Sequence, residues 1–337
     1  MAVYRGLGGW LFSLLPRFVD RVEELRRLEA YALEGYYPVL YLYGPEGCGK
    51  TRLLRELHQV LKQRGDVVAV YVDAQSTSGP WEAVEAPPEL ARLLAEAAAE
   101  YAGPPGRAAA LALLRVLGRV RERLVRGKHV VVLVDDVARP LGLERVEAYT
   151  KSLLDLVERL QAQGAASVLA LATTSEAASR SILARHSHAS LAQLWNLGPE
   201  AFEELLEVLS APRHVREQAW RLLGGNPRLA LALRARGWRA ERLIEDTYPR
   251  VRALLEELPR SLLRGLEEAV EDPDALRENQ ELRRHLVEAN LATPVERPCL
   301  GYTPPPDPEQ GVGRSYVWQT PLYRILAKKY LEEAGKP

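Results

Sequence analysis

The sequence predicts an α/β fold: a parallel five-stranded sheet flanked by helices, then an all-helical segment, then a C-terminal unit of helices and two short strands. Three observations carry this expectation. Five short runs, residues 39–43, 67–73, 129–135, 167–173 and 191–197, are apolar at nearly every position, as strands covered on both faces must be. Between them lie longer stretches, 51–64, 88–101, 107–126 and 143–163, in which Leu and Ala recur at helical spacing. Such alternation builds parallel sheets with helical crossovers. After about Gly198 the strand pattern stops.

The elements beyond that point follow in order. Residues 200–210, 212–223 and 228–236 read as a compact helical unit. From Thr247 a further unit begins, with helices at 249–258, 260–270 and 281–290, strands at 293–296 and 315–319, and a closing helix at 321–334. The Pro- and Gly-rich stretch 304–313 is expected to be an extended, mobile loop. Helices followed by a hairpin with a long tip resemble a winged helix. The expected division is 1–198, 199–246 and 247–337.

Composition sets bounds on function. Lys and Arg together number 45, equal to Asp and Glu, so no global basic field points to nucleic acid. Only seven of the 45 are Lys; with one Met and few Asn, this suggests a thermophilic source or GC-rich coding. Cys48 and Cys299 do not form a disulfide framework, and a reducing cytoplasm is the expected compartment. The apolar stretch 6–15 is ended by Pro16 and Arg17 without a small-residue cleavage site, so it reads as structure rather than leader. No run approaches eighteen apolar residues, so no membrane span is expected.

The strongest motif follows the first strand. Gly44-Pro45-Glu46-Gly47-Cys48-Gly49-Lys50-Thr51 fits G-x-x-x-x-G-K-[ST] at every fixed position. Glycines let successive amides turn inward onto a β-phosphate, and the helix that follows adds the partial positive charge of its N-terminus. Lys50 is expected to reach the β- and γ-phosphates, and the Thr51 hydroxyl to take one position on Mg²⁺. Arg52, next along the helix, joins the expected nucleotide contacts. Cys48 is either a small filler or a thiol whose pKa the helix N-terminus lowers.

About 90 residues later, Val130-Val131-Val132-Leu133-Val134-Asp135-Asp136 is a buried strand ending in two carboxylates. Asp135 is expected to hold Mg²⁺ and Asp136 to polarise an attacking water. Aspartate is one methylene shorter than glutamate, which places the base further from the γ-phosphate and suggests slow hydrolysis.

These blocks resemble the STAND branch of AAA+-related P-loop ATPases, in particular the archaeal ATPase family, over residues 18–236. Phe18-Val19-Asp20-Arg21-Val22-Glu23-Glu24-Leu25 resembles the F-x-G-R-x-x-E-L segment that packs beside the adenine. Val131 to Val137 resembles the Walker B form of STAND proteins. Leu169 to Thr174 resembles the sensor 1 strand, with Thr174 at its polar end. Gly224-Gly225-Asn226-Pro227-Arg228 resembles the G-x-P motif, in which Pro227 abuts the adenine. Arg228 stands where related initiator proteins carry the sensor 2 arginine. The resemblance implies an ASCE sheet of order 5-1-4-3-2, a helical lid and a winged helix. It also implies ATP or ADP with Mg²⁺ held between sheet and lid. Two departures stand out: Asp20 replaces the usual Gly, and Ser175 replaces an arginine, so that Arg180 is the next arginine available. His186 and His188 alternate in a loop but lack further ligands for a metal.

The expected function is a slowly hydrolysing ATPase switch in which Mg-ATP sets the position of the lid and winged helix. Two alternatives remain at this point: a DNA-binding ATPase of replication-initiator or mobile-element type, and a module that binds nucleotide without hydrolysing it. For DNA, the candidate cations are Arg283, Arg284 and His285, then Arg297 and Arg314, then Arg324, Lys328 and Lys329. Glu281, Glu288, Glu296, Glu309, Glu332 and Glu333 dilute them. The winged helix is thus a candidate surface for DNA or for a protein, and the oligomeric state is not legible.

Overall fold

The computed structural model describes residues 18–120, 122–174, 180, 182–296 and 298–334. The expectations for residues 6–15, Ser175 and Arg297 lie outside the described residues. Of the strands, β1 (Val39–Tyr43), β2 (Val67–Asp73), β4 (His129–Asp135), β5 (Ser167–Thr174) and β6 (Ala189–Gln193) form the parallel sheet; β3 (Val84–Glu85) adds an antiparallel edge to β2. The order is β3-β2-β4-β5-β1-β6. With the short β3 set aside, this is the 5-1-4-3-2 order that the resemblance implies. The sixth strand was not expected because two residues carry no periodicity.

Alternation along each strand divides the core between the two faces. Leu40, Leu42, Val131, Leu133, Leu169 and Leu171 pack beneath α1 (Val22–Glu34) and α2 (Lys50–Leu61). Tyr41, Val70, Val132, Val134 and Ala170 face α3 (Pro88–Ala98), α4 (Pro105–Leu117) and α7 (Leu143–Ala162). The helix expected over 107–126 breaks at Gly118 into α4 and the single turn α5 (Glu122–Val125). A second single turn, α6 (Ala138–Leu141), follows β4. The strand expected over 191–197 ends at Gln193. Beyond it, Leu194 still donates to Tyr43 O at 2.8 Å, and Leu197 then donates to Gly225 O at 3.0 Å, leading the chain away from the sheet.

The helices α8 (Pro199–Val208), α9 (Arg213–Leu223), α10 (Pro227–Ala235) and α11 (Ala240–Glu256) come next. Pro249, read from sequence as a helix start, lies inside α11. Then follow α12 (Leu263–Glu271), α13 (Gln280–Glu288), the β7 (Ala292–Pro294) and β8 (Tyr316–Trp318) hairpin, and α14 (Pro321–Ala334). One apolar core unites these elements, joining Phe202 and Leu223 to Leu255, Leu266, Trp318 and Leu326.

The loop over 304–313 is not the loose tip expected. Asp307 and Val312 pair as a bridge, a 3-10 turn covers Pro308–Gln310, and Arg324 Nη1 donates to Glu309 O at 3.0 Å. Asp274 pins the following turn by accepting from the amides of Arg314 and Ser315, each at 2.7 Å, and of Tyr316 at 3.0 Å. Backbone donors satisfied in this way hold a loop that composition alone marks as free.

Candidate functional site

The phosphate loop runs from the C-terminal end of β1 into α2, so its amides gather at the helix N-terminus. Two glycines are required by neighbours. A Cβ on Gly44 would stand 1.9 Å from Leu194 O, and one on Gly47, at φ +83°, would stand 2.5 Å from Arg228 Cβ. The loop is therefore pressed between the sheet and the start of α10. Lys50 is buried, and its Nζ donates to Gly44 O at 2.9 Å and Pro45 O at 3.2 Å.

Facing the loop, β4 delivers Asp135, which is 3% exposed. Its Oδ1 accepts from Thr173 Oγ1 at 2.6 Å and its Oδ2 from Tyr71 OH at 3.1 Å. The Tyr71 hydroxyl is pushed well up by burial and by the Asp135 charge, so it stays a donor. Asp73 is in register with Asp135, and its carboxyl is raised by burial and then by that neighbour, although Arg55 Nη2 donates to it at 3.1 Å. Asp136 has φ +49°, accepts a close bond from Gln75 Nε2, and its amide donates to Thr173 Oγ1 at 2.7 Å.

Thr173, rather than the expected Thr174, lines the cavity between loop and sheet. Neighbouring residues of a strand point to opposite faces, and Thr174, fully buried, lies on the other one. Strand parity in the sequence held this information. Arg180 is also elsewhere: its Nη2 donates to Glu296 at 2.5 Å and its guanidinium lies 5.1 Å from the Tyr43 ring centroid.

The cavity measures about 490 Å³, within the range of small-molecule sites. Its polar end is formed by Lys50, Thr51, Gln75, Asp135, Asp136 and Thr173; its apolar end is formed by Phe18, Val19, Leu197, Leu205, Pro227 and Leu231. Arg52 also lines the cavity, 5.9 Å from the Phe18 ring centroid and 2.8 Å from Glu56. An apolar slot beside a cradle of amides and a lysine matches a base joined to phosphates. No group of three or more His, Cys, Asp or Glu able to hold a metal occurs among the described residues, which includes His186 and His188. Thr51 and Asp135 alone suit Mg²⁺, which takes one or two side chains and completes its shell with phosphates and water.

Arg21 borders the cavity, but its guanidinium serves the scaffold. It is 4% exposed; Nη1 pairs with Glu24 at 2.7 Å, and Nη2 donates to Cys48 O at 2.9 Å and Trp195 O at 2.6 Å. Asp20 and Arg21 have φ of +55° and +65°. That explains why a glycine suits position 20, since left-handed backbone costs roughly 1–2 kcal/mol per ordinary residue. Asp is among the side chains that tolerate it best.

Glu46 and Gly47 tie the loop to distant segments. Asn226 Nδ2 donates to Glu46 O at 2.9 Å, Arg228 N donates to Gly47 O at 3.3 Å, and Glu46 N donates to Gln319 Oε1 at 3.0 Å. Asn226 also caps α10 by accepting from Leu229 N at 3.1 Å. The Asn-Pro pair at a helix start was a sequence signal for this cap. Tyr71, Asp73, Gln75 and Arg55 carried none.

Residues 18–233 match the family model described as an ATPase domain predominantly from Archaea. No curated protein matches the chain. The solved structures similar to it include the Orc1 protein of Aeropyrum pernix in complex with DNA, at 18% identity and TM-score 0.43, covering 95% of this chain and 94% of that one. Cdc6p from Pyrobaculum aerophilum is similar at 14% identity and TM-score 0.42, covering 96% of this chain and 98% of that one. AMPPCP-bound DnaA from Aquifex aeolicus is similar at 15% identity and TM-score 0.40, covering 81% and 85%. No helix among the described residues is long and apolar enough to cross a membrane.

Proposed function

Because this chain belongs to the family of ATPase domains found predominantly in Archaea, we propose that it is a Mg-ATP-dependent conformational switch of STAND type that hydrolyses ATP slowly. One observation carries the reading: the phosphate loop is bonded directly to the lid through Asn226 and Arg228 and to the C-terminal unit through Gln319. A ligand that reorganises the loop must therefore act on both. Here 1–198 is the ATPase unit, 199–246 the lid and 247–337 the winged-helix-like unit, with α11 running across the boundary between the last two and one core shared by both.

In this reading the amides from Gly44 to Thr51 and the Lys50 ammonium hold the phosphates, and the apolar slot at Phe18, Val19 and Pro227 takes the adenine. Thr51 and Asp135 would hold Mg²⁺, which supplies charge neutralisation at the phosphates when bound. Asp136 orients water, with Gln75 as its positioning partner. The Gln75 bond occupies one of the two Asp136 carboxylate oxygens and leaves fewer acceptor sites for water, which is in keeping with slow turnover or with a non-hydrolysing binding module.

Reading of duplex DNA by the C-terminal unit has less support. Arg324 donates to Val270 O and Glu309 O, Lys328 lies 3.9 Å from Glu271, and the Lys329 ammonium lies 4.3 Å from the Tyr248 ring centroid. Arg324 thus serves the fold, and Lys328 and Lys329 each lie against a neighbour of their own unit.

Calorimetry with ATP and Mg²⁺, combined with phosphate release by wild type and Lys50→Ala, tests the proposal. Wild type should bind ATP and release phosphate slowly, and the variant should do neither. Absence of nucleotide binding by wild type sinks the reading; binding without release leaves only the non-hydrolysing module.

A further inference from the structure

We propose that the cleft between α13 and the segment carrying Arg180, Ile182 and Arg185 binds the phosphodiester backbone of a single nucleic-acid strand, a site apart from the phosphate loop and beyond the ATP-switch reading. The cleft has a volume of about 760 Å³, with Arg180 and Arg185 on one wall and Arg283 and Arg284 on the other. Two of these arginines are anchored. Arg180 Nη2 is bonded to Glu296 at 2.5 Å, and Arg283 Nη1 donates to Arg277 O at 3.2 Å. The other two, Arg185 and Arg284, are exposed, and among the described residues neither guanidinium has a hydrogen bond or ion pair. Anchored cations fix the walls while the unpaired ones meet the ligand.

The charge pattern selects the ligand. Glu281 and Glu288 also line the cleft, and Arg180 is already paired with Glu296, so the cleft's positive charge is carried mainly by Arg185, Arg283 and Arg284 beside two carboxylates. Single charges spaced along a phosphodiester chain can meet the arginines and avoid the glutamates; the dense charge of a free polyphosphate cannot. The Arg283 guanidinium lies 5.9 Å from the Tyr316 ring centroid, giving a flat cationic platform at the same cleft. A basic groove with an aromatic beside it is the arrangement that holds single strands with little regard to sequence.

Placement argues against a duplex. A recognition helix must lie in a major groove about 12 Å wide, with the duplex walls on either side of it. Here the cleft-facing side of α13 shares the cleft with Arg180, Ile182 and Arg185 of the ATPase unit, so a duplex seated with its major groove on α13 would have to clear those residues as well.

The test is fluorescence anisotropy of a labelled oligothymidylate of about twelve nucleotides, titrated with the full chain at about 50 mM salt. Wild type should bind it. Arg185→Glu combined with Arg284→Glu should weaken binding at least about tenfold and lower the log–log salt slope by about 1.4, two contacts at about 0.7 each. ATP affinity should not change, and Arg264→Glu, at an exposed position on α12, should leave strand binding intact. No binding of the oligonucleotide by wild type overturns the proposal. So do unchanged affinity in the double variant, equal or tighter binding of a duplex of the same length, and displacement by a comparable concentration of free triphosphate.

Discussion

Glu46 Oε1 lies 2.6 Å from Arg228 Nη1, so a residue of the phosphate loop is paired with the first turn of α10, 182 positions later. Arg250 Nη2 approaches the other oxygen at 3.7 Å. Both arginines are more than half exposed, so the pairs add little to stability, at most about 1 kcal/mol. Their consequence is competition: Arg228 also lines the cavity, where a γ-phosphate would contend with Glu46 for its guanidinium.

Replacing Arg228 by Ala should therefore separate ATP from ADP. Loss of a charge-assisted bond worth about 1.5–3 kcal/mol lowers ATP affinity by roughly 10- to 100-fold. ADP affinity, lacking that phosphate, should stay within about twofold. Calorimetry with both nucleotides checks this. Equal losses for the two would show that Arg228 does not read the third phosphate.

Thr173→Val and Thr174→Val differ by one position and should differ in effect. Thr173 donates to Asp135 and accepts from the Asp136 amide, so its loss should cut phosphate release by about tenfold or more through two disturbed carboxylates. Thr174 faces away from the cavity, and its variant should release phosphate at nearly the wild-type rate. Steady-state phosphate assays on the pair decide the assignment; the reverse pattern would restore Thr174 to the site.

Arg21→Ala should be destabilising. Removing one partner of a buried pair leaves Glu24 uncompensated, a loss of about 3–5 kcal/mol, and it strands the Cys48 and Trp195 carbonyls as well. Arg21→Lys should rescue only partly, because an ammonium lacks the planar fork that reaches carboxylate and carbonyls together. Thermal unfolding followed by circular dichroism measures both. A midpoint unchanged in Arg21→Ala contradicts the structural role.

Asp274 predicts a pH signature. Partial burial pushes its carboxyl up, but the amides of Ser315, Tyr316 and Arg314 outweigh that, and the folded-state pKa falls below its ordinary value of about 3.8. A depressed carboxyl contributes stability that is fully present above the unfolded pKa and is lost as pH falls through the folded one. Asp274→Asn should thus be less stable than wild type at neutral pH, with the gap closing below about pH 4. Denaturant titrations across that range provide the check; a gap that persists at low pH points to a cause other than this charge.

How far the sequence was legible depended on where the information lay. Four of the main strands, β1, β2, β4 and β5, were readable because they are buried almost throughout and so largely apolar, whereas the edge strand β6 is mostly half-buried. The end of β6 was not readable, since Leu194 to Leu197 are as apolar as the strand itself and only their partners differ. The loop over 304–313 was misread for a related reason. Its Pro and Gly content marks a turn, whereas the bonds that fix it come from Asp274 and Arg324, distant in sequence.

The sequence by itself determined the phosphate cradle, because that chemistry belongs to contiguous backbone: eight residues between a strand and a helix bring their own amides, lysine and hydroxyl. Tertiary structure alone decided what faces the cradle. Tyr71, Gln75 and Thr173 around the two aspartates, and Asn226, Arg228 and Gln319 on the loop, arrive from separate elements. Side-chain hydrogen bonds act over about 3 Å, so only the folded chain, and no local pattern, specifies which distant residues come within reach.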